Sequence, residues 1–262
     1  MTVRAAIFAL TLAFGSPAYA ESPFDGRWVD DLDTQMGQAG FDTYLVSGGT
    51  YRCSSCHPAR EYPADGKMRP VADDPSIIAE SVSIAGPRTI VTHVLDHEME
   101  RETTMTVAPD GRTATYLSLD RWPGHATPLR TEYVARRIAP APANSNAVSG
   151  SWQGLRYVDV PVEYRSVDLA EADGRFTRTN FRHGHYTATI GGPAAPVTGD
   201  GKNIYQATVR APDAMTRIET ILLNGKPLVE RSYRLSEDGK TMTTTVRNPA
   251  DNSVFRTTSR RK

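Results

Sequence analysis

Two stretches of this sequence repeat each other in the same order, and that repeat governs what the chain can build. Phe24-Asp25-Gly26-Arg27-Trp28 returns as Val148-Ser149-Gly150-Ser151-Trp152 at an offset of 124, and Gly49-Thr50-Tyr51 returns as Gly174-Arg175-Phe176 at 125. Pro70-Val71 matches Pro196-Val197 at 126, and Ile90 through Thr115 matches Ile218 through Thr243 at a constant 128. Within that last match Asp110-Gly111-Arg112-Thr113 meets Asp238-Gly239-Lys240-Thr241. The slow growth of the offset places small insertions in loops. The chain therefore reads as one small unit built twice. Between the copies, Ala139 through Asn146 is proline-rich with nothing to bury, which reads as an interdomain linker. The expected layout is a leader at 1–20, a first unit at 21–138, a linker at 139–147 and a second unit at 148–262.

Each copy is all-β by pattern. Strand-like runs cover 77–84, 89–95, 100–107, 113–119 and 129–136 in the first copy, and 204–209, 216–223, 228–235 and 241–246 in the second. They are rich in Val, Ile, Thr and Tyr, and turn pairs punctuate them. Asn224-Gly225 is a type I′ hairpin signal, with Asp110-Gly111 and Asp238-Gly239 as its Asp-Gly form. No long window keeps a 3.6-residue apolar period. The expectation is two tandem antiparallel meander barrels, with a pair of β-sandwich units as the alternative.

Residues 1–20 carry one Arg, an apolar core from Ala5 to Phe14 and a small-x-small ending at Ala18-Tyr19-Ala20. Those are the parts of a cleavable signal peptide with the cut after Ala20, so the expected location is periplasmic or secreted. The core is too short to span a bilayer. The remaining composition excludes other classes: 30 Lys+Arg against 30 Asp+Glu leaves a net charge of +0, with no basic field for nucleic acid. A mean hydropathy of −0.43 argues against a polytopic membrane protein.

The Gly-x-Trp at the head of each copy suits the first strand of a small closed barrel. Gly lets the strand bend, Trp plugs the closed end, and an Arg from the last strand covers the indole. Trp28 to Arg136 and Trp152 to Arg260 are both 108 residues apart. Through Gly26, Trp28 and Arg136, and through Gly150, Trp152 and Arg260, the chain resembles the calycins, the lipocalin-like eight-stranded barrels. It also resembles a type of exported bacterial protein of unassigned role that carries two such units and a Tyr-x-Cys-x-x-Cys segment, here Tyr51 to Cys56. The resemblance implies a barrel that holds a small apolar or amphipathic molecule. It departs from the lipocalin pattern in its short units and in lacking a helix before the last strand.

Cys53-Ser54-Ser55-Cys56-His57 is the one strongly chemical motif. Read literally it is a c-type haem attachment site with His57 as proximal ligand and Met68, Met99 or His97 as distal candidates. It also fits a redox dithiol, or a zinc site completed by His183 or His185. The duplication argues otherwise, because the second copy has Arg178 and Phe181 at the two cysteine positions. The reading carried forward is a local disulfide between Cys53 and Cys56 that stiffens a loop at the mouth of the first barrel. His93 and His97 fall on a strand and a turn, so they form no metal pair, and no metal is expected. Glu102 and Glu230 match between copies and read as solvent-side strand positions with cross-strand Arg partners rather than paired acid–base carboxylates. No catalytic elbow, Walker loop or zinc-protease helix is present.

The functional expectation is an exported, non-catalytic protein that binds a small apolar or amphipathic ligand, with no cofactor, nucleic acid or membrane span. A haem-bearing electron-transfer protein and an envelope interaction module with filled barrels are the alternatives.

Overall fold

The structure, a computed structural model, describes residues 22–37, 41–56, 58–74, 77–182, 184–199, 204–250 and 252–262. Residues 1–20, expected as a signal peptide, and His57 and His183 lie outside these residues. Every regular element described is a strand, and no helix appears among the described residues. The expected strands appear nearly residue for residue: 100–107 and 216–223 keep their limits, 204–209 becomes 205–213, and the others extend by one to three residues into their turns.

The strands form two antiparallel ten-stranded sheets, one closed into a barrel and one a half-barrel. The order of strands holds the main correction to the sequence reading. β1 (Gly26–Gly37), which opens the first copy, is not in the first sheet. The first sheet is built from β2 (Phe41–Ser47), β3 (Thr50–Cys53), β4 (Arg60–Pro63), β5 (Arg69–Pro70), β6 (Ile77–Gly86), β7 (Thr89–Asp96), β8 (Glu100–Val107), β9 (Thr113–Arg121) and β10 (Leu129–Ala139). Its tenth strand is β11 (Gly150–Asp159), the opening strand of the second copy, which pairs with β10 and β2.

β1 instead sits in the second sheet between β12 (Ser166–Ala172) and β20 (Val254–Arg261). That sheet also holds β13 (Arg175–Asn180), β14 (Gly184–Thr189), β15 (Ala195–Pro196), β16 (Tyr205–Asp213), β17 (Thr216–Leu223), β18 (Lys226–Leu235) and β19 (Thr241–Arg247). The two copies have exchanged first strands.

Chain connectivity explains the exchange. Strands adjacent in sequence pair most readily. β10 continues through the proline segment straight back into β11, which takes the place a first strand would fill and leaves β1 to pair with the chain's last strand. The segment expected as a spacer is thus a connection within one sheet. It is tied down: Asn146 N–H donates to Val46 O at 2.8 Å and its side-chain amide to Gly86 O at 3.0 Å.

The cores follow the exchanged strands. Phe24 and Trp28 are buried with Leu169, Phe176, Tyr233 and Met242 in the second sheet. Val148 and Trp152 are buried with Val46, Tyr51, Met105 and Tyr116 in the first. Each indole N–H donates to the carbonyl four residues earlier, Trp28 to Phe24 and Trp152 to Val148, both at 2.8 Å.

The Arg over each indole is one residue later than expected and belongs to the exchanged partner strand. Arg137 lies over Trp152 and Arg261 over Trp28. Arg136 faces Gln153 instead, with Nη2 donating to its Oε1 at 2.8 Å, and Arg260 is exposed, 3.9 Å from Asp31. Alternation along a strand is the reason, since a one-residue shift turns a side chain to the opposite face.

The second sheet closes on itself, because His185 and Thr198 exchange backbone hydrogen bonds of 2.7 and 2.8 Å. In the first sheet the gap between β4 and β6 is spanned by the Asp65–Ser83 bridge and by Arg60, whose Nη1 lies 2.7 Å from Glu80. Asn224 and Gly225 both have positive φ, 51° and 74°, as a type I′ turn requires. At Asp110-Gly111 and Asp238-Gly239 only the glycines are left-handed, at 70° and 67°, so these loops are longer turns ending on a left-handed Gly, not type I′ hairpins.

Candidate functional site

Cys53 and Cys56 form a disulfide with a Cα–Cα distance of 5.5 Å. Cys53 is fully buried at the end of β3, and Ser54 and Ser55 in the loop bond the Thr43 backbone at 3.1 and 2.8 Å. With both sulfurs joined to each other, neither is available for a thioether to haem. Met68 is exposed, and Met99 lines a cavity remote in sequence from the loop. No group of three or more His, Cys, Asp or Glu side chains is placed to hold a metal among the described residues. His185 Nδ1 lies 3.1 Å from Thr198 Oγ1. Glu102 is 3.5 Å from His93 and Glu230 is 3.4 Å from Arg210, each within its own sheet, so the two carboxylates form no pair; the expected Arg partner is found only for Glu230.

Two cavities stand out. The smaller, about 220 Å³, is the tyrosine-lined interior of the first sheet, bounded by Tyr44, Tyr51, Tyr116, Tyr133 and Cys56. Tyr116 and Tyr133 stack at 4.5 Å, and burial pushes both phenol pKa values up. The larger, about 430 Å³, lies where the mouth of the second barrel meets the rim of the first sheet. Ligand pockets typically run from about 300 to 1,000 Å³. Of these two only the junction cavity falls in that range; a hollow of about 460 Å³ between the Asp238–Thr241 turn and Arg260–Arg261 is more open to solvent and has no apolar side chain in its lining.

Both copies build this cavity. The first sheet supplies Ile77, Val94, Met99, Arg101 and Trp122; the second supplies Arg178, Arg182, Val197, Ile221 and Arg231. Its charged frame follows from strand register. Arg101 on β8 stands directly opposite Asp120 on β9, and Arg231 on β18 directly opposite Glu219 on β17. Arg101 grips Asp120 with two bonds, 2.6 and 2.7 Å, and Tyr164 Oη donates to the same carboxylate at 2.7 Å. Glu219, wholly buried, accepts from Arg231 at 2.6 Å and Tyr233 at 2.6 Å, with Arg178 Nε at 3.5 Å.

Burial on its own would raise both carboxylate pKa values. The guanidiniums and hydroxyl donors outweigh it and hold Asp120 and Glu219 below the usual carboxylate range. Arg182 differs from the other three arginines, because its side chain has neither an ion pair nor a hydrogen bond among the described residues, and it only lies over Tyr164 at 5.4 Å. Trp122 and Phe181 pack edge to face at 5.0 Å beside it.

None of these cavity arginines was picked out as a ligand group from sequence. The available signal was the repeat itself, which puts Arg178 and Phe181 where the first copy has its cysteines: an Arg at a buried strand position needs partners, and here they face a cavity. No family model, curated protein or solved structure matches the chain.

Proposed function

We propose that this protein is a non-catalytic, lipocalin-like binding protein that holds one small amphipathic molecule in the cavity between its two sheets. The observation that carries this reading is the 430 Å³ cavity itself, with apolar walls from both copies and a few fixed polar groups. Tandem duplication with strand exchange supports it, since the exchange joins the barrel and the half-barrel tightly enough to keep a shared cavity in shape. The Cys53–Cys56 disulfide supports export to an oxidising compartment after removal of residues 1–20. Native mass spectrometry of the protein purified from its exported fraction tests the whole reading. The expected species begins at Glu21, retains the disulfide and carries a noncovalent mass that is lost on denaturation. A protein that reaches its compartment ligand-free and binds no amphipathic probe would instead be an interaction module of the envelope.

A further inference from the structure

Resting on that binding reading, we propose that the ligand is an amphipathic anion whose acidic head group pairs with Arg182 while its apolar body lies against the walls of the junction cavity. Four guanidiniums line the cavity: Arg101, Arg178, Arg182 and Arg231. Two carboxylates are in ion-pair contact with them. Asp120 is taken by Arg101 and by the Tyr164 hydroxyl, and Glu219 is shared between Arg178 and Arg231. Arg182 makes no contact ion pair among the described residues and feels Asp120, already gripped by Arg101, only at longer range.

Asp96 and Glu98 add two carboxylates to the lining, so what sets Arg182 apart is its lack of a contact partner among the described residues and not an excess of positive charge. Asp96 Oδ1 is spent on the backbone N–H groups of Glu98 and Met99, at 2.8 and 2.7 Å, and Glu98 stands beside it with interactions of its own. Arg182 is half-buried over Tyr164, and burial together with repulsion from Arg101 outweighs the attraction of Asp120 and lowers its pKa. A guanidinium withdrawn from water without an anion is costly, and its planar fork suits a carboxylate, sulfonate or phosphate head group. Val197, Ile221, Val229, Ile77 and Val94 offer the apolar surface for the rest of the molecule.

The test is a titration of the purified protein with decanoate, decan-1-ol and decyltrimethylammonium, followed by calorimetry and by tryptophan fluorescence. Trp122 lines the cavity while Trp28 and Trp152 are buried in the cores, so a ligand-dependent emission change reports the site. Decanoate is expected to bind at least about tenfold more tightly than decan-1-ol, the size of one charge-assisted hydrogen bond. Arg182→Gln is expected to erase that preference, and Arg182→Lys to retain most of it. Equal affinity for acid and alcohol, or preference for the ammonium compound, overturns the anion assignment and leaves the binding reading standing. No binding of any of the three overturns both. Unchanged melting of the Arg182 variants separates a lost head-group contact from a lost fold.

Discussion

The guanidinium of Arg137 lies 4.0 Å from the ring centroid of Trp152 and its Nε donates to Gly111 O at 2.6 Å. Its two terminal nitrogens donate to Ser149 and Ala147 carbonyls, so this one side chain ties β10, the turn after β8 and the proline connection together. Arg261 covers Trp28 at 4.8 Å, is exposed, and among the described residues its side chain bonds only the Pro23 carbonyl. Arg137→Ala is therefore expected to cost about 2–4 kcal/mol and Arg261→Ala about 1 kcal/mol or less. Urea unfolding of the two variants checks the order; equal losses would refute it.

The two strand-opening glycines are predicted to differ as well. Both have positive φ, 121° at Gly26 and 110° at Gly150. A Cβ on Gly150 would stand 2.5 Å from Ala139 O and 2.7 Å from Arg137 Nη1, whereas one on Gly26 meets nothing nearer than 3.5 Å. Gly26→Ala should cost about 1–3 kcal/mol, the strain alone. Gly150→Ala should cost more and lower expression of folded protein.

Strand exchange makes a prediction about where damage appears. Trp28→Ala, a loss of about 3–5 kcal/mol, should raise amide hydrogen exchange in β12 and β20 of the second sheet and leave β2 and β3 protected. Exchange rising in β2, its neighbour in sequence, would mean that Trp28 serves the first sheet.

The buried carboxylate network should set acid sensitivity. Glu219 has its folded-state pKa held down, so its stabilising contribution is complete above the unfolded-state value of about 4.3 and is lost as pH falls through the folded value. Asp120 acts with the same sign. Glu219→Gln is expected to cost about 3–5 kcal/mol at pH 7, because two guanidiniums lose their shared partner. It should also flatten the acid limb of a stability profile between about pH 5 and pH 2. A variant that keeps the full acid slope would show that Glu219 does not supply it.

For the disulfide, which closes a four-residue loop, the chain-entropy relation gives about 2 kcal/mol. Cys56→Ser should lose about that much and keep the fold, measured by urea unfolding with and without reductant. Cys53→Ser should lose more, because Cys53 is fully buried and a hydroxyl there is desolvated.

Most strands and the Asn224-Gly225 turn were legible because apolar alternation and turn chemistry are local. The Gly-x-Trp residues were legible as core plugs for the same reason: an indole that large has to be buried. The one-residue error at Arg136 and Arg260 came from counting along the chain, since equal spacing holds just as well for Arg137 and Arg261. Only register decides which of two adjacent arginines faces the ring. The cavity arginines escaped because Arg101, Arg178, Arg182 and Arg231 come from strands and loops far apart in sequence.

By itself the sequence determined that one β-rich unit occurs twice, that each copy opens on a glycine-bent strand with a buried Trp, and that the cysteine pair is an addition to one copy alone. Those properties rest on local pattern and on self-comparison. Tertiary structure decided which copy each first strand serves, because a strand with the right alternation fits either sheet equally well, and chain connectivity chooses between them. It also decided where the larger of the two described cavities forms, at a junction that exists only once two sheets, each carrying a strand of the other copy, are packed together.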